Sequence, residues 1–368
     1  KLIKHPTGYT YFVPSKINEQ WIWDNAQINA LLEKAAAKLG ELNSFSKLVP
    51  NIDLFLQLHI TKEAVISSRI EGTKTQIDEA LLEEEDISPE RRNDWQEVTN
   101  YVKALNNAIV DLETLPISAR LIRKTHGILL NSVRGEHKQP GEFRKSQNWI
   151  GGNSLLDAIF IPPNQELISE LMSDLESFLH NQAIQIPALI KIAIAHYQFE
   201  TIHPFLDGNG RIGRLLIPLF LVDQKILEKP LLYISAFFEK DKSLYYENLT
   251  RVRTKSDMTQ WLKYFLVGIL DTSENAIETL NRVLSLKSRL EEEMATTFGK
   301  RSQKANLLLQ YLFEKPIVHV NQVKELTNSS FKAANDLVNT FVEAGILKEM
   351  TGKNRNRLFI FEKYIQLF

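Results

Sequence analysis

Residues 203–214 read His-Pro-Phe-Leu-Asp-Gly-Asn-Gly-Arg-Ile-Gly-Arg, and no other window of this 368-residue sequence concentrates so many chemically specific residue types. An apolar run of helical length precedes the stretch, and Pro204 disfavours helical geometry at the residue before it, so we expect His203 at a helix end. The Gly-Asn-Gly triplet has the residue types of a turn. A second helical run begins at Arg211. The stretch therefore predicts a tight turn between two helices, with unpaired backbone N–H groups at the start of the second.

A helix N-terminus of this kind favours a bound anion, because its free N–H groups and the helix dipole both present positive charge. Arg211 and Arg214 share a face of the first turn, where two cations are unfavourable unless an anion lies between them. Asp207 is a ligand that Mg²⁺ accepts when water and substrate phosphates fill its other positions. His203 can take up a proton near neutral pH. The constellation predicts a polyphosphate site, whereas a lone Gly-Asn-Gly would indicate only a solvated turn.

The stretch matches the signature His-x-Phe-x-Asp/Glu-Gly-Asn-Gly-Arg-x-x-Arg without departure, and the chain therefore resembles the Fic-domain proteins. The resemblance implies an enzyme that transfers AMP from ATP to a Ser, Thr or Tyr hydroxyl of a target protein, and to itself. His203 would then be the catalytic base, Phe205 a core anchor and Asp207 the Mg²⁺ ligand. By the same resemblance, the ATP phosphates are expected on Gly208, Asn209, Gly210, Arg211 and Arg214.

A second motif, Ser67-Ser-Arg-Ile-Glu71-Gly72, ends a helical run that lies N-terminal to this stretch. Read alone, it is an exposed helix end with a solvated glutamate. It also matches the inhibitory Ser/Thr-x-x-x-Glu-Gly/Asn helix of the family that the chain resembles. That resemblance implies that Glu71 pairs with Arg214 in a bidentate geometry and occupies donors that the γ-phosphate of ATP needs. Ser67 is expected to help hold the inhibitory helix in place.

Residues 134–163 differ from the helical sequence around them, because glycines and prolines separate short apolar pieces. The pattern predicts a β-hairpin. It resembles the family's flap, a segment whose exposed edge holds the target protein by main-chain pairing. A hairpin that only covers the core is the alternative. The flap residues expected to contact the target are Asn148, Trp149, Ile150 and Gly151.

The segment that contains Tyr245, Tyr246 and Asn248 corresponds, by the same resemblance, to the adenosine end of the nucleotide pocket. These three residues are candidates for nucleotide contact, although aromatic residues pack in a core by default. His126 and His196 are lone histidines on predicted helices, for which we favour structural roles. A metal site built from His196, His203 and Asp207 is a weaker alternative, because it leaves the phosphate-binding turn without a purpose.

The composition is that of an ordinary globular protein. The 44 Lys and Arg against 45 Asp and Glu give a net charge of -1, which argues against attraction of the whole molecule to nucleic acid or membrane. There is no cysteine, which excludes disulfides and thiolate metal sites and is compatible with the cytoplasmic location that we expect. The longest apolar runs fall short of the ~20 residues that span a bilayer.

The predicted fold is mainly α-helical. We expect a helical lead-in over residues 1–61, a Fic-like catalytic core over 62–272 with its inhibitory helix at 62–72, and a helical connector over 273–299. The order of elements over residues 300–368 resembles a winged helix-turn-helix domain.

The predicted wing carries Lys353, Arg355 and Arg357, which are placed for phosphate contact. The predicted recognition helix is less basic, since Lys332 is offset by Asp336 and Glu343. Weak DNA contact and protein docking therefore both remain open for this domain. The rival to the enzyme is a DNA-binding transcriptional regulator that uses the Fic site only to sense a nucleotide.

Overall fold

The chain is mainly helical in its computed structural model, which describes residues 1–49, 52–131, 133, 136–352 and 356–368. The helices, in chain order, are α1 Ala26–Leu48, α2 Ile52–Ile70, α3 Ile77–Ala80, α4 Arg92–Asp111, α5 Ala119–Leu129, α6 Ile168–His180, α7 Ala188–Ile202, α8 Asn209–Asp223, α9 Ser235–Lys240, α10 Lys242–Lys255, α11 Met258–Thr297, α12 Ser302–Glu314, α13 Val320–Leu326, α14 Phe331–Glu343 and α15 Glu362–Ile365. The strands are β1 Leu2–Lys4, β2 Thr10–Phe12, β3 Ile317–His319, β4 Lys348–Glu349 and β5 Leu358–Ile360.

Helix α7 is the centre of the catalytic core. Every residue of it after Ala188 is buried, and it packs against α6, α8 and α11. A helix that is apolar on all sides must be surrounded by protein, which explains why the sequence lacks an amphipathic pattern here. The turn after α7 leads directly into α8, so the 203–214 stretch lies where two buried helices meet.

The N-terminal lead-in begins with a two-stranded antiparallel sheet of β1 and β2, which the prediction of a helical segment missed. The sequence Tyr9-Thr-Tyr-Phe12 is rich in residues that favour strands, and Gly8 makes the turn with φ 104°. The Phe12 N–H donates to the Ile161 carbonyl at 2.9 Å, so this small sheet also braces the flap segment.

The flap is a loop closed by one β-bridge between Ile150 and Phe160, and the predicted β-hairpin was wrong in this respect. Gly151 and Gly152 follow Ile150 with positive φ, which turns the chain away from a second ladder position. Two prolines follow Ile161 and supply no N–H donors, so pairing cannot extend on that side either. The first residues of the predicted hairpin, 134 and 135, lie outside the described residues.

Helix α11 runs without interruption through the domain boundary expected at residues 272 and 273. Helix α1 packs along it and supplies the apolar partner that a polar connector would lack. Beyond it, β3, β5 and β4 form an antiparallel sheet in that order, with α13 and α14 between β3 and β4. Of the three basic wing residues, Lys353 and Arg355 lie outside the described residues.

Among the helices of the described residues, none is both long enough and apolar enough to cross a bilayer.

Candidate functional site

His203 ends α7 in the left-handed conformation, with φ 51° and ψ 59°. This geometry is uncommon for a residue with a side chain, and it turns the imidazole out of the helix and into the site. The Nδ1 atom lies 3.3 Å from the Glu200 carbonyl oxygen, which can only accept, so Nδ1 carries the proton and Nε2 is left as an acceptor. Burial lowers the pKa of His203 to about 4, so the imidazole is neutral at physiological pH.

Arg144 holds this strained backbone from the flap side. Its Nε donates to the His203 carbonyl at 3.0 Å, and its backbone N–H donates to the Pro204 carbonyl at 2.9 Å. The side chain is 2% exposed, and burial lowers its pKa to about 10. Arg144 therefore positions His203 without facing the site.

The turn after His203 is held in place by the side chains of Asn209 and His126. Asn209 is buried, and its side-chain amide accepts from the Phe205 N–H at 2.8 Å and donates to the Phe205 carbonyl at 2.9 Å. The Phe205 ring stacks on His126 with centroids 3.7 Å apart. His126 accepts from the Gly141 N–H through Nδ1, so its Nε2 donates to the Asp207 carbonyl at 3.0 Å. These contacts are consistent with the structural roles expected for Phe205 and His126.

Glu71 lies across the N-terminus of α8. A Cβ added to Gly210 would come within 2.3 Å of Glu71 Oε1, so only glycine permits this approach. The same Oε1 accepts from Arg214 Nη2 at 2.7 Å, which is the ion pair that the inhibitory motif predicted. Burial alone would raise the pKa of Glu71, but the charge and hydrogen bond of Arg214 outweigh it and lower the pKa. The pair is therefore ionised.

The pair is not bidentate, contrary to expectation. The remaining donors on the inner edge of the Arg214 guanidinium go to Ser67: Nε donates to its Oγ at 2.8 Å, and Nη2 also donates to its carbonyl at 2.9 Å. Ser67 is 0% exposed and Arg214 is 2% exposed. The serine therefore holds the arginine directly, as well as belonging to the helix that carries Glu71.

Arg211 points away from Arg214. Its Nη1 donates to Glu97 Oε2 at 3.0 Å, and its Nη2 lies 3.6 Å from Asp207 Oδ1. Asp207 Oδ1 also accepts from the Gly208 N–H at 2.6 Å. Gly208 adopts φ 74°, as the turn requires. Arg211 is thus buried and paired with a carboxylate of α4, a helix that is distant in the sequence.

The Asp207 side chain is 44% exposed and faces solvent at the mouth of the turn. Within the described ranges, no group of three or more metal-binding side chains comes together. A single accessible carboxylate suits Mg²⁺ only when phosphate oxygens and water complete the shell, and Mg²⁺ commonly binds in that way. Asp207 therefore fits Mg²⁺ together with a polyphosphate, and does not fit a metal held by protein alone.

Two adjoining stretches of the chain match known families. Residues 29–110 match the Fic/DOC family N-terminal region, and residues 116–221 match the Fic/DOC family. A probable protein adenylyltransferase of Aquifex aeolicus is 30% identical over 239 residues, which cover 62% of this chain and 70% of that protein. The chain belongs to the Fic/DOC family.

Two other similar proteins also carry the Fic name. A protein adenylyltransferase Fic of Aedes aegypti is 29% identical over 172 residues, which cover 44% of the chain and 31% of the mosquito protein. The chain thus spans about a third of the length of that relative. A Fic family protein of Desulfovibrio desulfuricans has the same fold with a TM-score of 0.60 and 18% identity, covering 93% of this chain and 98% of that one.

Residues of both predicted motifs of this Fic/DOC chain open onto one cavity of about 500 Å³. His203, Gly210, Arg214 and Glu71 line it together. Three charged residues of its wall were missed by the sequence analysis: Glu200, Lys242 and Arg253. Glu200 did leave a signal, as the one carboxylate of the buried helix α7, one turn before His203. Burial raises its pKa to about 7, and its Oε1 is buried without a hydrogen-bond partner.

Lys242 and Arg253 left no such signal. Lys242 Nζ donates to the Ile70 carbonyl and so caps the last turn of α2. The Arg253 guanidinium lies 3.8 Å from the centroid of the Phe160 ring and donates to Thr201 Oγ1 at 3.3 Å. The Lys242 contact ties α2 to α10, and the contact of Arg253 with Phe160 ties the flap to α10. Helix α10 therefore joins three parts of the site.

The three candidates for adenosine contact are not equivalent. Tyr246 lines the cavity and is 39% exposed. Tyr245 also lines it, but its hydroxyl lies 3.0 Å from His196 Nε2, and both residues are buried. Asn248 does not line the cavity; its Nδ2 donates to the Leu244 carbonyl at 2.9 Å. His196 Nδ1 in turn donates to the Gly213 carbonyl at 2.9 Å, which is consistent with the structural role expected for it.

The four flap candidates also divide. Trp149, Ile150 and Gly151 line the cavity, and Trp149 is 40% exposed. Asn148 is buried, and its Nδ2 donates to the Phe205 carbonyl at 2.9 Å. The Asn148 side chain thus anchors the flap to the catalytic turn and does not face a target.

Proposed function

We propose that this chain is a protein adenylyltransferase that transfers AMP from ATP to a Ser, Thr or Tyr hydroxyl of a target protein and of itself. The names of its relatives support the reaction class. The observation that carries the proposal is the pairing, in one cavity, of a neutral histidine with a helix N-terminus built for an anion.

In the proposed reaction, the target hydroxyl attacks the α-phosphorus of ATP. His203 Nε2 accepts the hydroxyl proton, because Nδ1 is already protonated on the Glu200 carbonyl. The new bond joins the hydroxyl oxygen to the α-phosphorus, the bond to the bridging oxygen of the β-phosphate breaks, and pyrophosphate leaves. A neutral imidazole is ready to accept that proton at physiological pH.

The phosphates would lie on the backbone N–H groups of the Gly208, Asn209 and Gly210 turn and on Arg214. Arg211 would support the site indirectly. Its guanidinium is fixed by Glu97 and lies beside Asp207, so it would hold Asp207 and the start of α8 in place. Mg²⁺ bound at Asp207 would neutralise charge on the phosphates. Positioning and charge stabilisation supply most of the rate enhancement in transfer reactions of this kind.

We further propose that Glu71 inhibits the enzyme. Its carboxylate contacts Arg214 and lies over Gly210, the place where a phosphate would need the same donors. A carboxylate and a phosphate cannot share these positions, because both are anions. ATP would then bind without its γ-phosphate on Arg214 and in an unproductive pose.

Incubation of the full chain with ATP labelled on the α-phosphate tests the enzyme proposal. We expect label on the protein itself in the Glu71→Gly variant, and no label when His203→Ala is added. Label from γ-labelled ATP would instead identify a kinase. If no label is transferred even by Glu71→Gly, the result would support the alternative in which the site only senses a nucleotide.

We also propose that residues 300–368 form a winged helix-turn-helix module. The support is the order of α12, β3, α13, α14, β4 and β5 around a three-stranded sheet. Arg357 donates to Asn335 on α14 at 2.9 Å and lies over the Phe359 ring at 5.0 Å, so the base of the wing is fixed to the second helix.

The second candidate function, a DNA-binding regulator that senses a nucleotide, rests on this module. For the module itself we favour protein docking over DNA contact. The charge of Lys332 on α14 is offset by Asp336 and Glu343, and Phe331 at the start of that helix is 56% exposed. Electrophoretic mobility of duplex DNA with the full chain at low salt tests the choice. A salt-sensitive shift that weakens in Arg357→Ala would establish DNA contact.

A further inference from the structure

A second cavity lies on the side of helix α2 away from the catalytic turn. It measures about 470 Å³ and shares no lining residue with the catalytic cavity. Its walls come from α2, the segment before α9, α9, the middle of α11 and the last residues of the chain. We call it the α2–α11 cavity. Because α2 carries Ser67 and is followed directly by Glu71, this cavity borders the helix that places the proposed inhibitory carboxylate.

Two buried polar atoms on its wall have no hydrogen-bond partner: His59 Nδ1 and Tyr233 Oη. The two side chains are 9% and 5% exposed, and their rings lie 5.0 Å apart. His59 Nε2 donates to the Leu231 carbonyl at 2.9 Å, and burial lowers the pKa of His59 to about 4. Nδ1 is therefore an acceptor that requires a donor. Buried polar groups are rarely left unsatisfied in this way.

One cationic group of the wall is partly buried and unpaired. Lys62 lines the cavity and takes part in no ion pair with any residue the structure describes, whereas Lys240 is exposed and Arg282 pairs with Glu278. Asp271 accepts from Asn275 at 3.2 Å. Burial lowers the pKa of Lys62. The unmet requirements of the wall are thus an anion for Lys62 and a hydrogen-bond donor for His59.

A row of buried polar groups leads from this cavity to the Glu71 and Arg214 pair. Glu63, which lines the cavity, accepts from the Tyr101 hydroxyl at 2.9 Å. Tyr101 is near enough to Ser67 for the serine hydroxyl to act on the pKa of the phenol, opposing the rise that burial causes. Ser67 Oγ accepts from Arg214 Nε at 2.8 Å. An occupant of the cavity would therefore contact the helix, and the polar network, that hold Arg214 on Glu71.

We propose that the α2–α11 cavity is an effector site for a small anion that also carries a hydroxyl or amine donor, and that its ligand stabilises the inhibited state. The anionic group pairs with Lys62, and the donor serves His59 Nδ1. The cavity is formed in the conformation in which Glu71 contacts Arg214, so a ligand that fits it favours that conformation by linkage. The regulatory part rests on the proposed function, whereas the binding part does not.

Calorimetric titration of the full chain tests the binding part, with inorganic phosphate, glycerol 3-phosphate and serine as probes. We expect saturable binding of glycerol 3-phosphate or serine, weakened at least tenfold in Lys62→Met and in Tyr233→Phe. Lys103→Met, which removes an exposed lysine from α4, is the matched control and should bind as the parent chain does. Melting curves verify that each variant is folded, and Tyr233→Phe removes only a hydroxyl.

The binding part is overturned if none of the three probes binds, or if Lys62→Met and Tyr233→Phe bind them unchanged. A probe that binds more tightly in Glu71→Gly and is indifferent to Lys62→Met occupies the nucleotide cavity, which also overturns it.

AMP transfer from labelled ATP tests the regulatory part. A bound probe should reduce transfer by the parent chain severalfold, and should leave transfer by Glu71→Gly unchanged because the inhibitory carboxylate is gone. Equal reduction in both overturns regulation through the inhibitory pair. Absence of transfer from Glu71→Gly without any probe refutes the proposed function instead, so the two failures are distinguishable.

Discussion

Replacing Glu71 by glycine should increase AMP transfer by roughly 30-fold. The change removes the one carboxylate that contacts Arg214 Nη2 and clears the space over Gly210. A hydrogen bond between charged groups contributes about 1.5–3 kcal/mol. The Glu71 side chain is 34% exposed, so water screens the pair and we take about 2 kcal/mol. At about 1.4 kcal/mol per factor of ten, that energy corresponds to the stated increase.

The assay is incorporation of α-labelled AMP into the protein itself, with the apparent affinity for ATP measured in parallel. Glu71→Gln is the matched control, because it keeps the shape and an acceptor oxygen but removes the charge, and it should give a smaller increase. Equal transfer by the parent chain and by Glu71→Gly, at equal ATP affinity, would refute the reasoning. So would an increase that persists when His203→Ala is added.

The remaining predictions concern groups that support the site. Burial raises the folded-state pKa of Glu200 to about 7 from 4.5, so the stability that this group contributes is present below pH 4.5 and is lost as the pH rises through 7. Glu200→Gln should remove about 2 kcal/mol of the fall in unfolding free energy between pH 5 and 8, measured by urea titration. Asn209→Ala loses both bonds to the Phe205 backbone and should cost about 2 kcal/mol, seen as a lower melting temperature. Gly213→Ala places a Cβ at 2.2 Å from Glu200 Oε1 and should destabilise the fold by about 1–3 kcal/mol, whereas Gly40→Ala, with open space at its Cβ, should not.

The catalytic turn was predictable because its determinants are local. Pro204 disfavours helical geometry at His203, and α7 ends at Ile202. Gly208 permits the φ of 74° from which α8 begins. The Glu71 and Arg214 pair joins distant segments, but each of its members stands in a motif specific enough to identify. The position of His203 at a helix end was confirmed for the same local reason.

The features that the sequence did not predict depend on tertiary contacts, which a local sequence pattern cannot show. The polar sequence near Thr272 is typical of a connector, yet α11 continues because α1 covers its apolar face. Arg211 was expected on a phosphate, and the position of Glu97 on α4 is what draws its guanidinium away. The flap has the glycines and prolines of a hairpin, but their number limits the pairing to one bridge at Ile150.

Ser67 and Glu71 contact Arg214 in different ways, and the difference would allow the proposed inhibition to be reversed. Ser67 takes Nε and shares Nη2 through its own hydroxyl and carbonyl, both buried. Glu71 takes only one further bond, from the side that opens onto the cavity. If the carboxylate withdraws, we expect the two bonds to Ser67 to keep Arg214 in position, with its charge facing the space that a phosphate would fill. A bidentate pair on the Nε and Nη2 edge would instead have displaced Ser67, and release of Glu71 would then have left Arg214 without that anchor.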